Sequence, residues 1–159
     1  MNIQKNLGGI KIKEIKIGLL VLLMILTIST GTIFCQPVAA ANIDVNSNMT
    51  NDQIQDIIDN VGVGDTITFL AGIYSNVKLS ISTAVNLVSD EATLNSDGSS
   101  TIFTITGSDT AGTNITGFFI NGNGMNIGIS ATNTYGINII DNIFNNTYNA
   151  VSLSNVSES

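Results

Sequence analysis

Whole strand-and-corner units recur in the last third of this chain, and that recurrence limits the folds open to it more than any other feature. Asn114-Ile115-Thr116-Gly117-Phe118-Phe119-Ile120-Asn121 aligns with Asn138-Ile139-Ile140-Asp141-Asn142-Ile143-Phe144-Asn145 at an offset of 24. Ile129-Ser130-Ala131-Thr132-Asn133 aligns with Val151-Ser152-Leu153-Ser154-Asn155 at an offset of 22. A period of this kind marks an array in which each unit buries its apolar face against the next. A five-residue strand reaches about 16 Å, so three strands and their corners use up one period and return the chain above its start. The next coil then stacks about 4.8 Å higher and satisfies its backbone groups through the coil below. Ile115 over Ile139, Ile120 over Phe144 and Ile129 over Val151 are the expected inward stacks. Asn114 over Asn138 and Asn121 over Asn145 are the expected amide ladders at the corners.

Upstream, β-type runs continue from Asp65 onward. They include Thr66-Ile67-Thr68-Phe69, Val77 to Ile81, Val85-Asn86-Leu87 and Ile102 to Ile105, punctuated by Gly, Asn, Asp and Ser. An antiparallel sandwich is the competing fold, since Asn121-Gly122 and Asn123-Gly124 are hairpin dipeptides. A hairpin does not explain why whole units recur at these two offsets. Before the strands lies a polar lead-in over 42–49, followed by one amphipathic helix. Thr50 and Gln53 have capping-box spacing, with Met49 and Ile54 at the staple positions. Ile54, Ile57, Ile58 and Val61 line one helical face, and Gly62 and Gly64 end it. Nothing later reads as helix.

The first 41 residues read as an export signal. Lys5, Lys11, Lys13 and Lys16 precede the apolar run Ile17 to Ile28, and Val38-Ala39-Ala40-Ala41 offers small residues for cleavage after Ala40 or Ala41. A retained anchor is the alternative, because the run extended to Phe34 reaches eighteen residues, although Thr27, Ser29, Thr30, Gly31 and Thr32 weaken it. Lipoprotein processing at Cys35 is disfavoured by the bulky Phe34 before it. The processed chain has no cysteine, so disulfides and thiolate metal sites are excluded. It keeps eleven acids against Lys78 alone, with no Arg or His. That charge argues against nucleic acid or anionic membrane as partner. Membrane contact is then expected only through the signal segment, if it is retained.

Ile54-Gln55-Asp56-Ile57-Ile58-Asp59, Gly64-Asp65-Thr66-Ile67-Thr68-Phe69, Ala71-Gly72-Ile73-Tyr74 and Leu79-Ser80-Ile81 together resemble the opening of pectate-lyase-like right-handed parallel β-helix domains. These are related to the carbohydrate-binding and sugar-hydrolase repeat family. The later Asn-Ile repeats resemble large adhesin-like surface proteins of methane-producing archaea. Over roughly residues 50–155, the resemblance implies a capping helix over the first coil and a solenoid behind it. A lid of this kind has a physical purpose, since an uncovered coil exposes apolar side chains and unpaired backbone. Val151 to Val156 still reads as coil sequence, so a truncated array is the expectation at that end.

Catalysis is not expected. A polysaccharide lyase needs a strong cationic base and calcium-holding acids, but only Lys78 remains, and an exposed lysine is ordinary. A glycoside hydrolase needs two carboxyls about 5–9.5 Å apart. Asp90, Glu91, Asp97, Asp109 and Asp141 show no periodic alignment that would stack two of them, and Asp65 belongs to a turn. Weak calcium binding by Asp90, Glu91 and Asp97 is weighed against a solvated acidic loop, and the loop is the reading kept. The glycines fit neither a dinucleotide nor a phosphate loop, and no cofactor is expected. Four sequons place candidate N-glycosylation at Asn48, Asn114, Asn145 and Asn155.

The expectation is therefore a signal peptide over 1–41 followed by an all-β, right-handed parallel β-helix, with a lead-in and short capping helix over 42–64 and coils over 65–159. It acts as an exported, non-enzymatic, adhesin-like surface module that contacts glycans or neighbouring surface proteins. A degenerate polysaccharide-processing domain and a ligand-free envelope spacer are the alternatives.

Overall fold

The structure, a computed structural model, describes residues 39–124 and 126–158. The expected signal over 1–41 lies outside this range except for its last three residues. Thirteen strands are described. They are β1 (Asn42–Val45), β2 (Thr66–Phe69), β3 (Gly72–Tyr74), β4 (Leu79–Ile81), β5 (Asn86–Ser89), β6 (Ala92–Asn95) and β7 (Phe103–Thr106), then β8 (Asn114–Thr116), β9 (Phe119–Asn121), β10 (Ile127–Tyr135), β11 (Asn138–Ile140), β12 (Ile143–Asn145) and β13 (Asn149–Ser157). One helix, α1 (Asn51–Asn60), and a 3-10 turn (Ser108–Thr110) complete the elements.

From β2 onward, every third strand joins the same sheet, and β1 adds to the first of them. The first sheet runs β1-β2-β5-β8-β11, the second β12-β9-β6-β3 and the third β13-β10-β7-β4. All pairs are parallel. The protein is thus an all-β parallel solenoid, and the sandwich reading is discarded. Asn121-Gly122 and Asn123-Gly124 make no hairpin, because β9 and β10 on either side belong to different sheets.

Alternation places apolar side chains inward and stacks them in columns. Ile67, Leu87, Ile115 and Ile139 form one column in the first sheet. Tyr74, Leu94, Ile120 and Phe144 form another in the second. In the third, Leu79, Phe103, Ile129 and Val151 stack beside Ile81, Ile105, Ala131 and Leu153. All three inward stacks expected from the repeat are present in register. At mid-stack the Phe118 ring lies 5.2 Å from Phe69 and 5.4 Å from Phe103, both edge-on. Gly128 admits the terminal coil closely, since an added Cβ would sit 2.7 Å from the Ala150 carbonyl oxygen and from the Phe144 ring.

Two expectations are corrected. The lead-in over 42–49 contains a strand, β1, whose Asn42 to Val45 pair with Thr66 to Phe69. Val45 is fully buried there, so the segment reads as polar only because its outward residues outnumber its inward ones. A helical element also follows α1, in the form of the 3-10 turn at Ser108–Thr110.

The helix forms as its sequence dictates. The Thr50 hydroxyl accepts from the Gln53 N–H at 3.2 Å, and the Gln53 side chain accepts from the Thr50 N–H at 2.9 Å. Ile54 and Ile58 are buried, with Ile57 and Val61 packed against the core. α1 lies along the edge strand β4 and bonds to it. The Gln55 carboxamide donates to the Ser80 carbonyl at 2.9 Å and accepts from the Ser80 N–H at 2.8 Å, while Asn51 Oδ1 accepts from the Lys78 N–H at 2.8 Å. One side-chain amide thus does for Ser80 what a neighbouring strand would do. Gln55→Ala is expected to cost about 1 kcal/mol, read as a lowered urea midpoint. An unchanged midpoint would remove this role from Gln55.

Candidate functional site

The outward side chains of the third sheet form the most regular surface of the molecule. Ser80, Thr104, Ser130 and Ser152 stand in one column, and Thr106, Thr132 and Ser154 in a second. Each alternates with an inward apolar residue of its strand, which is why it faces out. The coils space these hydroxyls at about 4.8 Å along one direction and the strands at about 6.6 Å along the other. Neither column contains an ionisable side chain. Such a face can donate to and accept from neutral hydroxyl-bearing ligands at repeated intervals, without a charge to desolvate.

A second surface is apolar. On the outward side of the second sheet, Ile73, Thr93, Phe119 and Ile143 stack in register. Ile73 is 65% exposed, Phe119 37% and Ile143 60%.

The candidate acids are dispersed. Asp141 stands one step past the paired Val88, Thr116 and Ile140, so its column holds Ser89 and Gly117 below it and no second carboxyl. Asp90 and Glu91 form the exposed corner between β5 and β6. Asp109 lies in the 3-10 turn. The Asp65 carboxylate is occupied by its turn, accepting from the Gly62 N–H and the Ala41 N–H, both at 2.7 Å. Asp97 holds a loop together. Its carboxyl is pulled below the usual range first by the Ser99 N–H at 2.8 Å, then by the Ser99 hydroxyl at 2.9 Å, with the Ser100 N–H and the Lys78 charge adding to it. That contribution is present above the ordinary carboxylate range and fades as acid protonates the group. Lys78 is exposed beside β4. Among the described residues, no three His, Cys, Asp or Glu side chains converge on a point.

The corner asparagines form ladders longer than the repeat implied. Asn114 Nδ2 donates to Asn86 Oδ1 at 2.5 Å, and Asn138 Nδ2 to Asn114 Oδ1 at 2.7 Å. Asn121 donates to Asn95 at 3.0 Å, Asn145 to Asn121 at 3.3 Å, and Asn155 to Asn133 at 2.8 Å. Three of the four sequon asparagines, Asn114, Asn145 and Asn155, therefore use one of the two hydrogens on the nitrogen that would carry a glycan. Asn48 is exposed and outside any ladder, although the Thr50 hydroxyl of its sequon caps α1.

The outward hydroxyl columns were not singled out in the sequence. Ser130 and Thr132, like their repeat partners Ser152 and Ser154, alternate with apolar residues there, and only the register of the earlier coils extends them to Thr104, Thr106 and Ser80. The class defined by this fold is the all-β parallel solenoid. No protein-family model, characterised protein or solved structure matches the chain.

Proposed function

We propose that this chain is an exported, non-catalytic β-helix module of the cell surface, adhesin-like in role, that binds neutral glycans through its third sheet. The observation that carries the reading is the double column of seven hydroxyls, Ser80, Thr104, Ser130 and Ser152 beside Thr106, Thr132 and Ser154, with no ionisable side chain in either column. Eleven acids beyond the signal segment disfavour anionic ligands and leave neutral polysaccharide as the matching chemistry. In this reading the coils wind right-handed and α1 serves as the lid of the first coil, supported by its amide bonds to Lys78 and Ser80. The apolar column Ile73, Phe119 and Ile143 favours a second contact, with a neighbouring surface protein.

Binding to a panel of neutral and anionic polysaccharides tests the first contact. Retention on neutral glycans is expected, with a loss of about tenfold or more when Thr104→Lys and Thr132→Lys place charges on the face, since burying an unpaired charge is costly. These residues point outward, so the unfolding midpoint serves as the control for folding. Binding to no neutral glycan would leave an envelope spacer. Turnover of any polysaccharide that Asp141→Asn or Lys78→Ala abolishes would replace the reading with an enzyme.

Export makes a separate prediction. If the signal is cut after Ala40, the new α-ammonium belongs to Ala41, whose nitrogen lies 2.7 Å from Asp65 Oδ1. Its carbonyl also accepts from the Thr66 N–H at 2.8 Å. A cut after Ala41 would delete both bonds. The intact mass of the secreted protein is expected to begin at Ala41; a mass beginning at Asn42 would refute the choice.

A further inference from the structure

The same coils stack the corner asparagines and the two hydroxyl columns of the third sheet, with opposite results for their polar groups. A carboxamide is long enough to bridge one coil spacing, so Asn86, Asn114 and Asn138 bond to one another along their corner. A hydroxyl is not. At about 4.8 Å between coils, neighbouring oxygens of one column stand beyond hydrogen-bond reach. Elsewhere the fold takes up its hydroxyls. Ser89 Oγ accepts from the Ala92 N–H at 2.8 Å, and the Thr110 and Thr113 hydroxyls donate to the Gly107 and Thr110 carbonyls, both at 2.7 Å. Among the described residues, none of the seven hydroxyls of Ser80, Thr104, Ser130, Ser152, Thr106, Thr132 and Ser154 is bonded to a protein group in this way.

These free hydroxyls form a lattice in two dimensions. The pairing of β4 with β7, β7 with β10 and β10 with β13 runs without a shift through all the residues that carry them. Both spacings, about 4.8 Å across the coils and about 6.6 Å along the strands, are therefore fixed before any ligand arrives. One hydroxyl contact is weak, because it replaces a contact with water. Strength has to come from many contacts made at once. A dissolved glycan chain follows a line, so it meets one column and loses conformational freedom in doing so. A solid in which neutral chains lie packed side by side presents hydroxyls in two directions, and its order is present before contact.

We infer that the ligand of this lattice is the surface of a packed, insoluble neutral polysaccharide rather than a single dissolved chain. The inference rests on the glycan reading of the third sheet and adds the physical form of the glycan. Charge agrees with it. Neither column holds an ionisable side chain, and the eleven acids beyond the signal segment disfavour a solid that carries carboxylates or sulfates. Contact between two preordered surfaces needs no change of shape in either, and it draws on both columns together.

Retention of the full chain on microcrystalline cellulose and on crystalline chitin is compared with retention on the same two polymers swollen to amorphous gels, and with binding to their soluble oligosaccharides. At least one crystalline form is expected to hold the protein about tenfold or more better than its amorphous form. Two variants separate the columns. Thr104→Val, Ser130→Ala and Ser152→Ala strip one, and Thr106→Val, Thr132→Val and Ser154→Ala strip the other, each with the unfolding midpoint as the control for folding. Either variant is expected to lose about tenfold or more on the crystalline form. A loss from one variant alone would mean that a single chain lies along one column. That result, or equal retention on the amorphous gel, would overturn the inference and leave the glycan reading standing. Retention that neither variant weakens would put the contact elsewhere on the molecule, and retention on no form of either polymer would remove the contact altogether; each of these overturns both.

Discussion

Phe118→Ala should lower the unfolding free energy by about 3–5 kcal/mol, a large share of the roughly 5–15 kcal/mol that holds a domain together. Phe118 is fully buried and is the ring that Phe69 and Phe103 both meet edge-on. Its loss leaves a void between coils that are fixed in spacing by their backbone bonds and cannot close on it. The neighbouring Phe119 gives the control. It faces outward at 37% exposure, so Phe119→Ala should stay within about 0.5 kcal/mol. Urea denaturation with an unchanged slope reads both. If the two substitutions cost the same, the inward and outward assignment of β9 and its preceding corner is wrong.

The second large effect concerns a polar group. Asn114 donates to Asn86 and accepts from Asn138, so it is the middle rung of a three-residue ladder. Asn114→Asp keeps the shape but removes the donor, setting a carboxylate against the Asn86 oxygen. The expected cost at neutral pH is about 1–3 kcal/mol. Protonation restores the donor, because the neutral carboxyl can give its hydrogen to Asn86 and still accept from Asn138. The folded state therefore raises the pKa of the introduced group above its unfolded value of about 3.9. Its stabilising contribution is full below that unfolded value and is lost as pH rises through the raised one. Denaturation of the variant and the parent at pH 3.5 and 7 checks this. A stability difference independent of pH would mean that the ladder is not what holds Asn114.

The inward columns were legible because they follow from alternation and a repeat, and the stacks at Ile115, Ile120 and Ile129 fall in the expected register. The helix was legible for a different reason, since its capping box and its Ile face are local signals. The earlier coils were harder to read. The coil that carries Thr66 round to Asn86 is short, whereas the next, from Asn86 to Asn114, is markedly longer. The long coil holds the loop after Asn95 and the 3-10 turn at Ser108–Thr110. Loops between the paired strands absorb such differences without disturbing the strand register, so a fixed period cannot find them. β1 escaped notice because it lies before α1, where the sequence switches from period 2 to a helical pattern and back. Of the binding face, the individual residues were visible but their alignment across coils was not, since register joins residues that share no local motif.

All the backbone bonds between coils point along the winding axis, from β1 at one edge of the stack to β13 at the other. A pull along that axis loads every layer in series, so the weakest interface yields first and the molecule should lengthen in steps of one coil at a time. Tethered between surfaces, such a chain would behave as a shock absorber that yields by layers and regains them when slack, with the aromatic cluster around Phe118 as its most resistant link.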